Sequence, residues 1–339
     1  SHTATQTDAW QDFFDEYGIV VIRDVLSAEE CEATIDEMWR ALEGVGIIKG
    51  DPRSWARMPW GAHMGFLGNN AFFAPRACEN RQNPRLYQFF KTLYGAEELV
   101  VSVDRLGFMR PTEGLVVDGY DDPVDVPQWK SLKNWVHWDM NPFTGSASTY
   151  AYQGNYPLNP YNKVCVCALA GDTPPHPPQG FTRLKTQGIV ALADASERDG
   201  GFHAIPGFHK HIQAWGRRNW GQRRRHTYPV VEDETTMQVP YEDPIRANVQ
   251  TMPIRRGSLL VWNSAIPHGT FPNHSNHPRI VQYLKMAPLR DPAIVPAAHN
   301  SSSAHKCVVV PYCPSSGFRL SPLGEKLYGF KDWPGFESR

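Results

Sequence analysis

Apolar residues recur at helical spacing through the first part of the chain. They predict an amphipathic helix over Asp8 to Tyr17 and, directly after it, a short strand over Ile19 to Ile22. Ser27 and Glu30 stand three residues apart ahead of the next apolar pattern, which is the spacing of a capping box. We therefore expect a second helix that begins after Ser27 and runs to about Leu42.

A third helix is indicated further along the chain. Asn83 can cap it, Pro84 occupies its first position, and Gly95 ends its apolar pattern. The segment between the second and third helices, Gly50 to Ala77, is dense in Trp, Met, Phe, Gly and Asn and has no clear period. We interpret that segment as a loop.

From residue 99 the pattern changes to short apolar runs separated by turn residues, which is typical of strands. Several short strands fronted by helices predict a mostly-β protein with flanking helices. The expected core is a barrel or a double-sheet jelly roll with an N-terminal helical buttress. The predicted strands are Leu99 to Met109, Asn134 to Asp139, Gln187 to Ala193, Gly257 to Asn263 and Arg279 to Met286.

The 339 residues are predicted to form one domain. We expect a helical N-terminal part over 1–98, a jelly-roll core over 99–290 and a C-terminal extension over 291–339. Within the core, residues 140–186 form a long insertion rich in Tyr, Pro, Asn and Gly. Long segments without a regular pattern are usually functional or disordered, and the aromatic residues of this one favour a lid.

Composition narrows the choice of partner. Lys and Arg number 34 against 35 Asp and Glu, so the net charge of −1 draws the chain neither to nucleic acid nor to an anionic membrane. No apolar run approaches the roughly 18 residues of a spanning helix. The six cysteines include no CxxC pair, which favours reduced thiols and a cytoplasmic protein, although a targeting segment can precede Ser1. We expect a small-molecule substrate, no membrane, and a monomer or homodimer.

Candidate chemistry begins at His137-Trp138-Asp139. Residues i and i+2 of a strand project to the same face, so His137 and Asp139 point together, into the barrel of the predicted fold. An imidazole and a carboxylate on an inward face are costly to bury unless a partner such as a metal ion pairs with them. Taken alone, the H-x-D spacing is a weak signal, because it also occurs by chance on surface strands.

Two further residues complete the constellation. An apolar strand leads into Pro267-His268-Gly269, a corner that holds the imidazole of His268 near the mouth of the barrel. Arg279 begins the next predicted strand. If the two strands pair, its guanidinium points toward the cavity that His268 lines. A buried Arg needs an anion, and its planar fork suits a carboxylate held by two hydrogen bonds.

Two histidines and one carboxylate leave about three positions open on an octahedral metal, which is the facial triad of non-haem Fe(II) oxygenases. His137, Asp139 and His268 are therefore the predicted metal ligands and catalytic residues. Arg279 supplies a predicted anchor for a dicarboxylate co-substrate. The combination is much more specific than any of its parts.

Together these residues resemble those of the 2-oxoglutarate oxygenases and, more narrowly, of the phytanoyl-CoA dioxygenase family. Asp12 to Ile22 is similar to the family's N-terminal opening. Gly200 to Lys210 is similar to its G-G-x-H-x-x-P-G-S-H-K segment, with Phe208 in place of the usual Ser. The resemblance covers roughly Asp8 to Pro288 apart from the insertion. Trp138 departs from it, because relatives often have Gln there.

The resemblance implies a double-stranded β-helix (jelly-roll, cupin-like) fold, Fe(II), O2 and 2-oxoglutarate as co-substrate. It implies that Thr270 and Arg279 bind the distal carboxylate of 2-oxoglutarate. The expected enzyme is a dioxygenase that oxidises an unactivated C–H bond of a small organic molecule and releases succinate and CO2. Hydroxylation is the expected outcome, and Asp139 favours it over halogenation because related halogenases lack this carboxylate.

Several alternatives stay open at this point. The same iron chemistry can give desaturation, cyclisation or epimerisation of a natural-product scaffold, and a cupin-like binding or isomerase module can keep the histidines without being an oxygenase. His203, His209 and His211 could form a second metal cluster, although a structural role is the simpler interpretation. The basic run from Arg217 to His226 fits a solvated helix end better than a nucleic-acid site, so nucleic acid is not an expected partner.

Overall fold

A computed structural model gives the fold. The predicted insertion lies almost entirely outside the described residues, as do the basic run beyond Asn219 and most of the predicted C-terminal extension. None of the helices in the described part of the chain is long and apolar enough to cross a membrane. The structure describes residues 4–58, 65–67, 74–102, 104–131, 135–140, 142–143, 186–219, 237–289 and 319–335.

The N-terminal helices begin and end where their capping residues stand. The Ser27 hydroxyl accepts a hydrogen bond from the Glu30 backbone N–H (3.1 Å), and the Glu30 carboxylate accepts one from the Ser27 N–H (2.7 Å). An N-cap of this kind stabilises a helix by about 1 kcal/mol. The predicted caps at Asn83 and Gly95 are also confirmed. The helices are α1 (Ala4–Tyr17), α2 (Ala28–Glu43), α3 (Pro75–Arg81), α4 (Pro84–Tyr94), α5 (Ile212–Asn219) and α6 (Pro322–Leu327).

The interpretation of Gly50 to Ala77 as a loop is wrong at two places. A short 3-10 helix covers Pro52–Arg57, and α3 begins at Pro75. The buried face of α3 includes Asn80 and Arg81, so polar residues occupy positions where a helical pattern would show apolar ones. These buried polar residues hide the helical period of α3 when only the sequence is considered.

Twelve strands form three antiparallel sheets within the described residues. The first sheet has the order β1-β9-β5-β11-β3, the second has the order β7-β4-β10-β6-β8, and β12 pairs with β2 in a small third sheet. This architecture confirms the predicted mostly-β fold with flanking helices. The strands are β1 (Ile19–Ile22), β2 (Leu99–Val101), β3 (Leu106–Met109), β4 (His137–Trp138), β5 (Thr186–Ala191), β6 (Phe202–Ala204), β7 (Met237–Gln238), β8 (Gln250–Met252), β9 (Leu259–Asn263), β10 (His268–Thr270), β11 (Arg279–Leu284) and β12 (Met286–Pro288).

Two predicted strands are each divided in the structure. Leu99 to Met109 separates into β2 and β3, and Arg279 to Met286 separates into β11 and β12. Both breaks occur at the same contact, where the Ser102 N–H donates to the Lys285 carbonyl and the Lys285 N–H donates to Ser102 Oγ, each at 2.9 Å. Both segments leave the first sheet at this contact. The division of the two predicted strands therefore depends on a long-range pairing that no local pattern shows.

Three hydrophobic clusters separate the layers. The largest joins the helices to the outer face of the first sheet, and includes Trp39 of α2, Phe90 of α4 and Val261 of β9. A second cluster lies between the two five-stranded sheets, with Phe202 from one and Val281 from the other. The third packs α5 against the outer face of the second sheet. The order is therefore helices, first sheet, second sheet and α5, and the inter-sheet space is the place for a buried site.

Candidate metal centre

His137 and His268 come together across neighbouring strands of the second sheet. They are direct partners in the antiparallel pairing of β4 with β10. Residues that face each other in such a pair have Cβ atoms about 4.5–5.5 Å apart. The two imidazole rings accordingly lie with their centroids 4.6 Å apart. Strand pairing thus brings together two histidines that are far apart in the sequence.

Asp139 supplies the third group. Its Oδ1 lies 3.3 Å from His137 Nε2, and its Oδ2 lies 3.5 Å from His268 Nε2. One possible ligand atom from each of the three residues lies within 4.8 Å of the other two. Among the residues that the structure describes, this is the group of His, Cys, Asp and Glu side chains that could hold a metal ion.

The charges within the group suit a divalent cation. Burial lowers the pKa of His137, and the attraction of Asp139 opposes that effect only in part. Burial would raise the pKa of Asp139, but the charges and hydrogen bonds of His137 and His268 outweigh it and hold that pKa well below its usual range. An ionised carboxylate and neutral imidazole nitrogens are the forms in which these side chains bind metals.

The imidazole of His268 is held in one orientation. Its Nδ1 lies 3.0 Å from the Ile266 carbonyl oxygen, so an N–H at Nδ1 donates to that oxygen and the lone pair of Nε2 faces Asp139. This bond to the distal ring nitrogen is the usual way in which a protein sets the tautomer of a metal-binding histidine. The His268 side chain is 6% exposed.

Trp138, between the two predicted ligands, points away from them. Its side chain is fully buried in the third hydrophobic cluster, between α5 and the second sheet, with its ring 4.7 Å from that of Trp215. Its Nε1–H donates to the Ala265 carbonyl (3.1 Å). Close approach of the strands also depends on Gly269, because a Cβ there would lie 1.8 Å from the Trp135 carbonyl oxygen. Trp138 therefore packs on the outer face of β4, whereas His137 faces the space between the two sheets.

The strands that carry His268 and Arg279 do not pair with each other. Strand β10 belongs to the second sheet and β11 to the first, because residues 271–278 cross from one sheet to the other. Arg279 nevertheless faces inward, since it alternates with Val281 of the inter-sheet cluster along β11. The two residues therefore approach the interior from opposite sheets.

The guanidinium of Arg279 is buried between the two sheets. The residue is 2% exposed, and its Nη1 lies 3.9 Å from Met109 Sδ. Among the described residues its Nε and Nη2 have no hydrogen-bond partner, and burial lowers its pKa, an effect that Tyr283 opposes only in part. An unpaired buried charge costs several kcal/mol. Two free donors on a buried cation fit the carboxylate of a co-substrate.

Thr270 belongs to the same region. It follows His268 by two residues on β10 and so projects to the same face of the second sheet. A Cβ on Gly200 would lie 2.6 Å from Met109 Sδ and 3.0 Å from the Phe271 carbonyl oxygen. Met109, which contacts Arg279, therefore packs beside the residue that follows Thr270.

The histidines of the alternative second metal cluster do not gather around a site. His203 is fully buried against the ring of Phe271 (4.2 Å), and burial lowers its pKa to about 3. His209 Nε2 lies 3.0 Å from the Asp15 carbonyl oxygen at the end of α1. The grouping of metal-binding side chains in the described part of the chain includes neither.

One polar contact of the site has no sequence signal. The Gln187 amide Nε2–H donates to Asp139 Oδ2 at 2.9 Å. Gln187 stands on β5 of the first sheet, where its alternation with Ile189 and Ala191 is the pattern of an ordinary inward-facing strand residue. Only the placement of the two sheets face to face brings it to the carboxylate.

Comparison with known proteins points to one family. The family model described as phytanoyl-CoA dioxygenase matches residues 157–281. A curated protein of Dictyostelium discoideum, "Putative phytanoyl-CoA dioxygenase", is 27% identical over 326 residues, which are 94% of this chain and 86% of that protein. Both matches are to the phytanoyl-CoA dioxygenase family, which this chain resembles. The chain is accordingly a 2-oxoglutarate-dependent non-haem iron dioxygenase, with iron, 2-oxoglutarate and O2 as cofactors and co-substrates.

One solved structure supports the fold, and a second is reported for its similarity alone. The crystal structure of the "Putative Oxidoreductase from Salmonella typhimurium LT2" matches with a TM-score of 0.54 at 12% identity, over 95% of this chain and 82% of that one. The epimerase SnoN, whose structure holds Fe3+, alpha ketoglutarate and nogalamycin RO, matches with a TM-score of 0.49 at 15% identity, over 84% and 85% of the two chains. Similarity at this level indicates nothing about what the present chain binds.

The family match and the candidate site overlap only in part. The matched range 157–281 contains His268, Thr270 and Arg279, whereas His137 and Asp139 precede it. The family model therefore bears on the enzyme class. Assigning individual residues to iron or to 2-oxoglutarate depends on the geometry of the side chains themselves.

Proposed function

We propose that His137, Asp139 and His268 bind Fe(II), and that the enzyme hydroxylates an unactivated C–H bond of a small organic molecule while 2-oxoglutarate is converted to succinate and CO2. The observation that carries the proposal is the convergence of two imidazoles and one buried carboxylate, whose ligand atoms lie within 4.8 Å of one another. When bound, the iron supplies the activation of O2 and the oxidation of the C–H bond.

Arg279 and Thr270 are proposed to hold the distal carboxylate of 2-oxoglutarate. The free Nε and Nη2 donors of Arg279 match the two oxygens of a carboxylate, and the negative charge would neutralise the buried guanidinium. The Thr270 hydroxyl can add one further donor from the opposite sheet. This part of the chain would thus bind and orient the co-substrate at one end while the metal ligands act at the other.

Aromatic rings pack against both histidines. The Trp262 ring lies 5.0 Å from that of His268, and the Phe202 ring stacks on His268 at 6.0 Å. On the other side, Trp135 lies 4.7 Å from His137. A dry, preorganised setting is what oxidative chemistry needs to avoid side reactions.

The presence of Asp139 favours hydroxylation over halogenation, since a halogenase leaves that position free for chloride.

Anaerobic reconstitution tests the proposal. The purified protein with Fe(II) and 2-oxoglutarate is expected to develop a visible metal-to-ligand charge-transfer band, and addition of O2 is expected to release succinate. His268→Ala should show neither. A wild-type protein that gives no band and no succinate would contradict the assignment of these residues.

The reaction outcome needs its own measurement. A compound that accelerates succinate release is treated as substrate, and the reaction is run under 18O2. One 18O atom in the product supports hydroxylation. A product that is desaturated, cyclised or epimerised and contains no 18O would overturn hydroxylation while leaving the iron site in place.

A further inference from the structure

We propose that Gln187 is a positioning residue for the metal-binding carboxylate: its amide holds Asp139 in the orientation in which both carboxylate oxygens face the histidines. The inference rests on the proposed function, because it takes Asp139 to be an iron ligand. It concerns a residue on a strand of the first sheet, whereas the histidines and Asp139 are carried by the second.

The contact acts on a side chain that needs orienting. The terminal torsion of an Asp carboxyl group has a broad energy profile, so rotation is restrained only by contacts. Gln187 Nε2 donates to Oδ2 at 2.9 Å, while Oδ1 lies 3.3 Å from His137 Nε2. A rotation that moved Oδ1 away from His137 would also break the bond to Gln187. The amide thus restrains the carboxylate in the observed orientation.

The two partners differ in how firmly their backbones are held. Asp139 lies just beyond β4, a strand of two residues. Gln187 lies within β5, the central strand of the first sheet, where it pairs with Trp262 of β9, and its side chain is buried. A residue on a central strand can therefore brace one that stands beyond the end of a short strand.

An amide also has the appropriate charge for this task. Lys or Arg at position 187 would pair with Asp139 as a counter-ion and compete with a metal cation for it. Glu would add a second negative charge. The neutral amide donates a hydrogen bond and leaves the carboxylate charge available, which is the pattern of groups that orient metal ligands.

The test compares two buried glutamines on neighbouring strands of the same sheet. Gln187→Met removes the N–H donor and nearly preserves length and volume. Gln282→Met makes the same change on β11, where the amide faces the helices and donates to the Ala77 carbonyl. Co(II), added anaerobically to each purified full-length variant, serves as the probe, and its d–d absorption spectrum reports the ligand geometry.

Gln187→Met is expected to weaken Co(II) binding by about 10- to 100-fold and to change the d–d spectrum. Gln282→Met is expected to keep the wild-type affinity and spectrum, because its contacts lie on the other face of the sheet. An unchanged Co(II) affinity and spectrum in Gln187→Met, or an equal loss in both variants, would overturn the positioning role. Circular dichroism establishes that each variant is folded.

Gln187→Asn is the second variant, in case Gln187→Met does not fold. It keeps an amide but shortens the side chain by one methylene, so it should lose the contact to Asp139 and weaken Co(II) binding in the same direction. Wild-type affinity in folded Gln187→Asn would count against the proposal. Failure of the wild-type protein to bind Co(II) would instead contradict the proposed function itself.

Discussion

Strand β11 carries buried polar side chains on its two faces, and their surroundings differ. Gln282 faces the helices, where its amide N–H donates to the Ala77 carbonyl (2.8 Å) and its carbonyl accepts from Asn80 Nδ2 (2.9 Å). Arg279 faces the space between the sheets, where two of its guanidinium nitrogens have no hydrogen-bond partner among the described residues. On one face of β11 the buried amide of Gln282 finds its hydrogen-bond partners within the described protein. On the other face the guanidinium of Arg279 does not find all of its partners there.

This difference separates a structural polar residue from a functional one. A buried polar group with all its partners stabilises the fold, whereas a buried charge without a partner destabilises it unless a ligand completes it. On this criterion the helix-covered face of the first sheet serves stability and the inter-sheet face serves binding. The predictions that follow challenge this division, beginning with the largest expected effect.

His268→Ala should remove metal binding, lowering Co(II) affinity by several orders of magnitude, because one of three ligands is lost. The free energy of unfolding without metal should change far less. Calorimetric titration and chemical denaturation measure the two quantities. His274→Ala, on an exposed histidine of the β10–β11 connection, is the matched control and should bind Co(II) as the wild type does. Equal losses in both variants would argue against a localised site.

Arg279→Met should lower 2-oxoglutarate affinity by about 2–5 kcal/mol, since it removes the buried partner of a carboxylate. Without co-substrate the same variant should be no less stable than the wild type, and more stable by as much as about 1–4 kcal/mol, because a buried unpaired charge is gone. Titration of the metal-loaded protein and urea denaturation of the apoprotein report these opposite effects. A loss of apoprotein stability would mean that Arg279 is structural.

Arg279→Lys keeps the positive charge but not the planar guanidinium group, and should recover little of the affinity for 2-oxoglutarate.

Gln282→Met tests the opposite face. It leaves Asn80 Nδ2 and the Ala77 carbonyl without a hydrogen-bond partner from position 282, so the free energy of unfolding should fall by about 1–3 kcal/mol. The affinity of folded protein for 2-oxoglutarate should stay at the wild-type value. Urea denaturation with co-substrate titration checks both. Weakened co-substrate binding together with unaltered stability would reverse the roles assigned to the two faces.

Thr270→Val is the mildest of these changes. It removes one hydroxyl and keeps the branched shape, so 2-oxoglutarate affinity should fall by about 0.5–1.5 kcal/mol, the value of a single hydrogen bond. Stability should be nearly unaffected, because the side chain is only half-buried. The difference in dissociation constant between this variant and the wild type provides the measurement, and an unchanged constant would remove Thr270 from the co-substrate site.

Much of the fold was predictable because the signals are local. The capping box at Ser27, the Asn83 cap and the αL glycine at Gly95 each act within one turn of helix, and all three occur where the sequence places them. The division of two predicted strands at Ser102 and Lys285 was not predictable. It results from hydrogen bonds between residues far apart in the chain, which leave no mark on the hydrophobic pattern.

The candidate site divides in the same way. His137, Asp139, His268 and Arg279 could be selected because imidazole, carboxylate and guanidinium groups in apolar strands are chemically conspicuous. The contact of Gln187 with Asp139 could not, because glutamine in a strand is unremarkable until its partner is known. Whether β10 pairs with β11 could not be predicted for a related reason: the residues between them cross to another sheet, and no local signal indicates where such a crossing leads.

Residue chemistry and local periodicity were therefore sufficient for the mostly-β class, the helix ends and four of the groups that carry the proposed chemistry. Tertiary structure was needed to assign each strand to a sheet, to bury the guanidinium of Arg279 between the sheets, and to bring Gln187 across to Asp139. The physical reason is that caps and alternation act over a few residues, whereas sheet membership and the satisfaction of buried polar groups depend on which distant segments meet.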